Sequence, residues 1–397
     1  MEENVARHDL RHTDGRWLRV YGTPPPPDVD IDAALAHHVP AAASGIHQRY
    51  NALRDTWVAV SPARNERPHA PAVDPLPAGC PLCPGGPEVP FDYDAAVFDN
   101  RFPSFSVAPP TPPSAPAIPG IGSLADAARG RCEVVLYTSR HEGSLATLTD
   151  AELARVIAIW ADRSDELWAD PTHRVVMIFE NRGEAVGATL SHPHGQIYAL
   201  DRIPPAVAQR TAALRAHRTR TGSSLSQAVV DADVGSDRCL YVDDDFVAAV
   251  PYAPDWPFEV HVRARREGVR RLGDLTAEEQ VSLALALRAV VTAYDQVHDR
   301  PMAYLMACHE APADPTGAPV ADHRLAIEFL PPHRSAEKLK VRASVETALG
   351  VFINDTSPED SAALLRTAAP RLTDADRAAI PRVRLTTPAP EQPINRA

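Results

Sequence analysis

The spacing of apolar positions changes once within residues 133–168. EVVLYTSR reads as a strand, and after a turn Leu153, Val156, Ile157 and Trp160 recur at helical spacing. The same order returns from Glu259, where EVHVRARREGV precedes the helical run TAEEQVSLALALRAVVTAYD. Each helix opens on one start signal. Thr149 and Thr276 are N-caps, and Glu152 and Glu279, three residues on, are their capping-box partners. Two more apolar strands follow each helix: RVVMIFEN (174–181) and SHPHGQIYAL (191–200), then MAYLMACHE (302–310) and HRLAIEFLP (323–331). The order strand, helix, strand, strand therefore occurs twice. It predicts an α+β protein of two tandem repeats, each with a mainly antiparallel sheet flanked by helices.

Composition sets the borders of these repeats. The 40 prolines, roughly twice the usual share, cluster outside the patterned stretches. Residues 1–45, with PPPP and an Ala/His-rich run, read as a loosely held arm. Residues 46–220 hold the first repeat and 221–370 the second. Residues 371–397 read as a fraying Pro-rich tail, and 104–125 as a mobile loop. The formal net charge is −12 with no dense Lys/Arg block, which excludes nonspecific nucleic-acid binding. No stretch approaches 18 apolar residues, and the charged first residues lack an apolar signal core, so a soluble cytoplasmic protein without membrane contact is expected. Five cysteines in 397 residues make no disulfide framework.

His192-Pro193-His194-Gly195-Gln196 is the strongest local signal. In an extended strand His192, His194 and Gln196 would face one way, a polar row that is costly to bury without a purpose. The Gly and Pro between them, and the ENRGEAVGATLS loop before them, suit close approach of a ligand to backbone. A neutral imidazole is a competent nucleophile toward phosphorus near neutral pH. Gln196 can donate its amide N–H to a phosphoryl oxygen without offering a transferable proton. Cys80-Pro-Leu-Cys83 is half of a tetrahedral zinc site or a redox pair; its flanking prolines suit a knuckle, for which His141 and His192 are the candidate further ligands. Arg64, Arg67, Asn100 and Arg101 stand in loops where they could meet a nucleotide pyrophosphate.

YNALRDTWVAVSPAR, C-x-x-C, VFDNRFPSF, ENRG…HPHGQIY, PYAPDWPFEVHV, RSAEKLK and GVFIND, in this order from about residue 46 to about 366, resemble the galactose-1-phosphate uridylyltransferases of the histidine-triad superfamily. The resemblance implies a UDP-glucose–hexose-1-phosphate uridylyltransferase of galactose metabolism, working by ping-pong through a uridylyl-histidine. It implies His194 as nucleophile and Gln196 as the glutamine that holds the phosphate. Cys80, Cys83, His141 and His192 become ligands of structural Zn²⁺. Arg64, Arg67, Asn100 and Asn181 become nucleotide contacts, and Lys340 and Glu346 hexose contacts supplied by the partner subunit of a homodimer. Gln196 stands where histidine-triad hydrolases carry His, which favours transfer over hydrolysis.

The chain departs from the family in two places. Some members hold iron with histidines of the second repeat; here His309 remains, but Ala326 and Glu328 replace two of them and Arg210 replaces a carboxylate, so the iron site is expected to be lost. The hexose loop reads RASVE where relatives have a Gly and a Ser or Tyr before the Glu, which leaves the sugar open. A nucleoside-diphosphate-sugar phosphorylase, with inorganic phosphate as acceptor, and a non-catalytic zinc-stabilised nucleotide-binding protein are the rival readings.

Overall fold

Short stretches buried on alternate residues and longer ones buried along one helical face alternate through the chain in the computed structural model, which describes residues 1–26, 30–35, 45–66, 79–116 and 118–387. The strands among the described residues are β1 (Glu2–Arg11), β2 (Trp17–Tyr21), β3 (His47–Asn51), β4 (Thr56–Val60), β5 (Ala95–Asp99), β6 (Ala125–Ala127), β7 (Gly130–Leu136), β8 (Val175–Arg182), β9 (His194–Leu200), β10 (Cys239–Val242), β11 (Phe246–Ala249), β12 (Val260–Ala264), β13 (Tyr304–His309), β14 (Ala326–Leu330) and β15 (Arg382–Thr386). The helices are α1 (Ile31–Ala34), α2 (Asp150–Trp168), α3 (Pro205–Thr221), α4 (Leu225–Val234), α5 (Ala277–Gln296), α6 (Ser344–Leu349), α7 (Pro358–Ala368) and α8 (Asp374–Ala379).

Both capping boxes form as read from the sequence, starting α2 at Thr149 and α5 at Thr276. The two repeats are β7-α2-β8-β9 and β12-α5-β13-β14. Their strands join edge to edge in one sheet of order β10-β11-β12-β14-β13-β8-β9-β7-β5-β2-β1-β15, while β4, β3 and β6 form a small separate sheet. β8 and β13 pair antiparallel at the centre, so each repeat presents its strands in mirror order about that seam. Rows of cross-strand partners cross the seam, and one runs Val134–Gln196–Phe179–Ala307–Glu328–His261. One continuous apolar core, with Trp160, Leu283, Tyr294, Tyr304 and Phe329 fully buried, joins α2 and α5 to the sheet. No helix among the described residues is long and apolar enough to cross a membrane.

Three sequence expectations need correction. The arm is not loosely held over residues 2–21: β1 and β2 extend the main sheet, with Leu18, Val20 and Tyr21 inaccessible to solvent. The tail is not free before residue 387: α8 and β15 precede the end of the described residues, and β15 pairs in parallel with β1. The many polar residues of β1 and of the edge strand β15 hid both from a composition-based reading. Finally, α3 falls in the 46–220 stretch, yet Arg210, Thr211 and Arg218 bond to Glu328, His323 and Asp322. The repeats therefore meet before α3, not after it.

Candidate active site

Cys80, Cys83, His141 and His192 converge, with one donor atom of each lying within 4.8 Å of all the others. A tetrahedral ion with bonds of about 2.0–2.3 Å needs its donors within about 4 Å of one another, so two thiols and two imidazoles here fit a closed metal site. The His192 ring is oriented from behind: its Nε2–H lies 2.8 Å from the Thr138 carbonyl, leaving Nδ1 toward the cysteines. Burial pushes the His192 pKa down to about 4 despite the opposing hydrogen bond to Thr138, which keeps the ring neutral and a lone pair on Nδ1.

That orientation breaks the expected row of three. His192 precedes β9, is 1% exposed and turns into the cysteine cluster. The polar face of β9 instead carries His194, Gln196 and Tyr198, while Gly195, Ile197 and Ala199 are buried on the other. Gly195 has no room for a side chain, because an added Cβ would lie 2.3 Å from the Tyr137 hydroxyl. The His194 Nδ1 lies 2.7 Å from the His192 carbonyl. A carbonyl only accepts, so Nδ1 carries the proton and Nε2 carries the lone pair. The cysteine–histidine cluster thus fixes His192, and the His192 backbone fixes the tautomer of His194.

Gln196 is oriented with equal economy. The Phe102 N–H donates to Asn100 Oδ1 at 2.8 Å, which turns Asn100 Nδ2 toward Gln196 Oε1 at 3.4 Å. The Gln196 amide N–H₂ is then the end presented outward. Asn100, expected as a direct nucleotide contact, therefore also orients Gln196.

Two cavities open on His194, and a third adjoins one of them at Asn100 and Arg101. One of about 100 Å³ is lined by His194, Gln196 and Asn100 together with the apolar walls Leu82, Phe98, Val134 and Leu190. One of about 200 Å³ shares His194 with it and is lined by Asn181, Arg182 and Ser191. A third, of about 360 Å³, opens on the other side of Asn100 and Arg101. The Asn181 Oδ1 is buried without a hydrogen-bond partner, and Asn181 lines the second of these cavities. Arg64 donates to Ser104 Oγ at 3.0 Å and to the Tyr198 hydroxyl at 3.2 Å, beside the row rather than in it. Arg67 lies outside the described residues.

Sequence reading missed Tyr198 and Glu180. Tyr198 continues the two-residue period of His194 and Gln196, a signal that was present. Glu180 was masked by the apolar run of β8. It is 5% exposed, accepts from the Tyr304 hydroxyl at 2.9 Å, and neighbours Tyr137 beneath Gly195. Burial outweighs these hydroxyls and Arg182 and pushes its pKa up to about 7. A carboxyl whose folded pKa is raised stabilises the fold fully below its unfolded value and loses that contribution as pH rises through the folded one. Stability should therefore fall between about pH 4.5 and 7 on its account, by roughly 3 kcal/mol. Glu180→Gln is expected to match the parent near pH 5 and to melt higher at pH 8. Melting curves that differ by a constant amount across this range would contradict this.

In the second repeat, Glu328 stands in the cross-strand row where Gln196 stands in the first. It bonds Arg210 at 2.5 Å and His309 Nε2 at 3.1 Å, and Ala326 lines a cavity with it. Burial alone would raise the Glu328 pKa; His261, His309 and Arg210 outweigh it and hold the carboxyl well below its usual range. An internal ion network fills this position. Lys340 and Glu346 meet each other at 2.8 Å, with Lys340 Nζ also donating to the Asp255 and Ile353 carbonyls. Neither lines the cavities at His194.

Residues 38–204 match the model of the galactose-1-phosphate uridyl transferase N-terminal domain, and residues 210–378 that of its C-terminal domain. A galactose-1-phosphate uridylyltransferase of Thermotoga maritima is 36% identical over 318 residues, covering 80% of this chain and 97% of that protein. One of Streptomyces lividans is 33% identical over 302 residues, 72% of this chain and 78% of that protein. A solved uridylyltransferase structure superposes with a TM-score of 0.71 at 29% identity, covering 81% of this chain and 98% of that one.

Proposed function

The chain belongs to the galactose-1-phosphate uridylyltransferase family, and from that premise we propose that His194 carries the uridylyl group between two sugar phosphates. The reaction is uridylyl transfer: UDP-glucose and galactose 1-phosphate give glucose 1-phosphate and UDP-galactose. In the first step the His194 Nε2 lone pair attacks the α-phosphorus. The bond to glucose 1-phosphate breaks, and that group leaves with the electron pair as a phosphate anion needing no proton. In the second step a phosphate oxygen of galactose 1-phosphate attacks the same phosphorus and the P–N bond breaks. The observation that carries this is the Nδ1–H donated to the His192 carbonyl, because it leaves Nε2 nucleophilic and spreads the charge of the uridylylated ring. Gln196 donates to a non-bridging oxygen, and Asn100, Asn181, Arg64 and Arg67 hold the nucleotide. Label exchange between UDP-glucose and glucose 1-phosphate tests the scheme; exchange that requires inorganic phosphate would instead make the enzyme a phosphorylase.

The enzyme works as a cytoplasmic homodimer in which Lys340 and Glu346 meet the hexose in the partner subunit's site. Support comes from their surroundings: Val341, Leu349, Phe352 and Ile353 are each at least 41% exposed, an apolar strip on one short segment. The metal is Zn²⁺, held by Cys80, Cys83, His141 and His192, and its role is structural. Elemental analysis of protein purified without chelators is expected to find about one zinc per chain and no stoichiometric iron. Absence of zinc would sink the ligand assignment, and one iron per chain would sink the reading of Ala326 and Glu328. Cys83→Ser should lower the melting temperature more than the activity per folded molecule, since a closed site contributes folding energy.

A further inference from the structure

The strands β1 and β2 lie outside both family matches, yet the turn between them enters the pocket region. The turn is closed by the His12 N–H to the Arg16 carbonyl at 2.9 Å and by the Gly15 N–H to the His12 carbonyl at 2.8 Å, with Gly15 at φ 87°. Asp14 clamps Arg16 twice, accepting from its backbone N–H at 3.0 Å and from Nε at 2.8 Å. Arg16 Nη1 then donates to Glu88 Oε2 at 2.9 Å and to the Asp99 carbonyl at 3.1 Å. Next to it the Trp17 N–H donates to Asp99 Oδ2 at 2.9 Å.

Both targets are walls of the cavities described above. Glu88 is 6% exposed and lines the small cavity with Phe98, His194 and Gln196. Asp99 precedes Asn100 and Arg101, which line both the small cavity and the large one. Asp14 and Arg16 line the large cavity themselves, and Arg16 Nη2 is buried without a hydrogen-bond partner.

We infer that Arg16 is a positioning residue of the nucleotide pocket, fixing Glu88 and the Asp99–Arg101 backbone so that the rim presents one shape to the nucleoside end of a nucleoside-diphosphate sugar. This rests on the reading of the His194 cavities as a nucleotide site. Glu88 without Arg16 is a buried carboxylate lacking its cation, so it swings out toward water and the rim loosens. The effect falls on the nucleotide, not on the second sugar phosphate, because Arg16 lies on the Asn100 side of the pocket.

The experiment measures UMP binding by calorimetry on the metal-containing protein as purified, together with the two Michaelis constants. Arg16→Ala should weaken UMP binding about tenfold or more and raise KM for UDP-glucose by a similar factor. It should leave kcat, and KM for galactose 1-phosphate, within about twofold. Arg16→Lys should recover part of the loss, Asp14→Asn should give an intermediate one, and Arg11→Ala, on the exposed side of the same hairpin, none. If Arg16→Ala does not fold, Asp14→Asn and Arg16→Lys carry the comparison. UMP affinity within twofold of the parent in these variants overturns the inference. A parent protein that binds UMP but forms no His194 adduct would sink the transfer reading while leaving the affinity comparison decisive; one that binds no UMP overturns both.

Discussion

Replacing His194 by glycine is expected to lower uridylyl transfer by about 10⁴-fold or more, the scale seen when a covalent nucleophile is removed, while the protein still folds. The ring is half-buried at the first residue of β9, and the ladder to β7 that includes this residue is made by backbone. The cost to stability should therefore be near that of a glycine in a strand, about 0.5–1 kcal/mol. The hole left beside Gln196 is the size of the lost ring. Free imidazole entering it should be uridylylated by UDP-glucose, releasing glucose 1-phosphate and uridylyl-imidazole. Transfer at the parent rate in a correctly folded His194→Gly protein would mean that another group attacks the phosphorus.

Gln196→His should slow transfer by about 10²–10³, the usual loss of one positioned donor to a developing oxyanion. Its second consequence is more diagnostic. Asn100 Nδ2 faces position 196 and would occupy one ring nitrogen, leaving the other directed at the phosphorus. An imidazole there can take a proton from water and deliver one to a leaving group, which an amide cannot. The uridylylated enzyme should then leak, and the ratio of free UMP to UDP-galactose should rise above that of the parent. Full-rate transfer without added hydrolysis would remove the role given to Gln196 and leave the covalent mechanism standing.

What could be read before the structure followed the strength of local signals. The two helices were legible because Thr149/Glu152 and Thr276/Glu279 are complete start signals and the apolar spacing beyond them is long. The cysteine–histidine group was legible because C-x-x-C restricts its chemistry and calls for two more ligands, for which His141 and His192 were the candidates, and the resemblance implied the same two. The row on β9 was misjudged by one member, since Pro193 and the cysteine cluster draw His192 out of the strand period. The pairing of β1 with β15 joins segments some 380 residues apart in the chain, and no local pattern announces such a partner. Arg16 and Glu88 escaped for the same reason: each is an ordinary charged residue until the hairpin brings them to 2.9 Å. Lys340 and Glu346 were carried over from the family, and within one chain they meet each other and not His194.

The central claim is that His194 holds the nucleotide between the two half-reactions. Incubating the parent protein with UDP-glucose alone, quenching without acid, digesting and analysing the peptides by mass spectrometry tests it most directly. The account predicts one UMP per chain on His194, released on adding galactose 1-phosphate with formation of UDP-galactose. No adduct under conditions where transfer proceeds, or an adduct on any other residue, would contradict it.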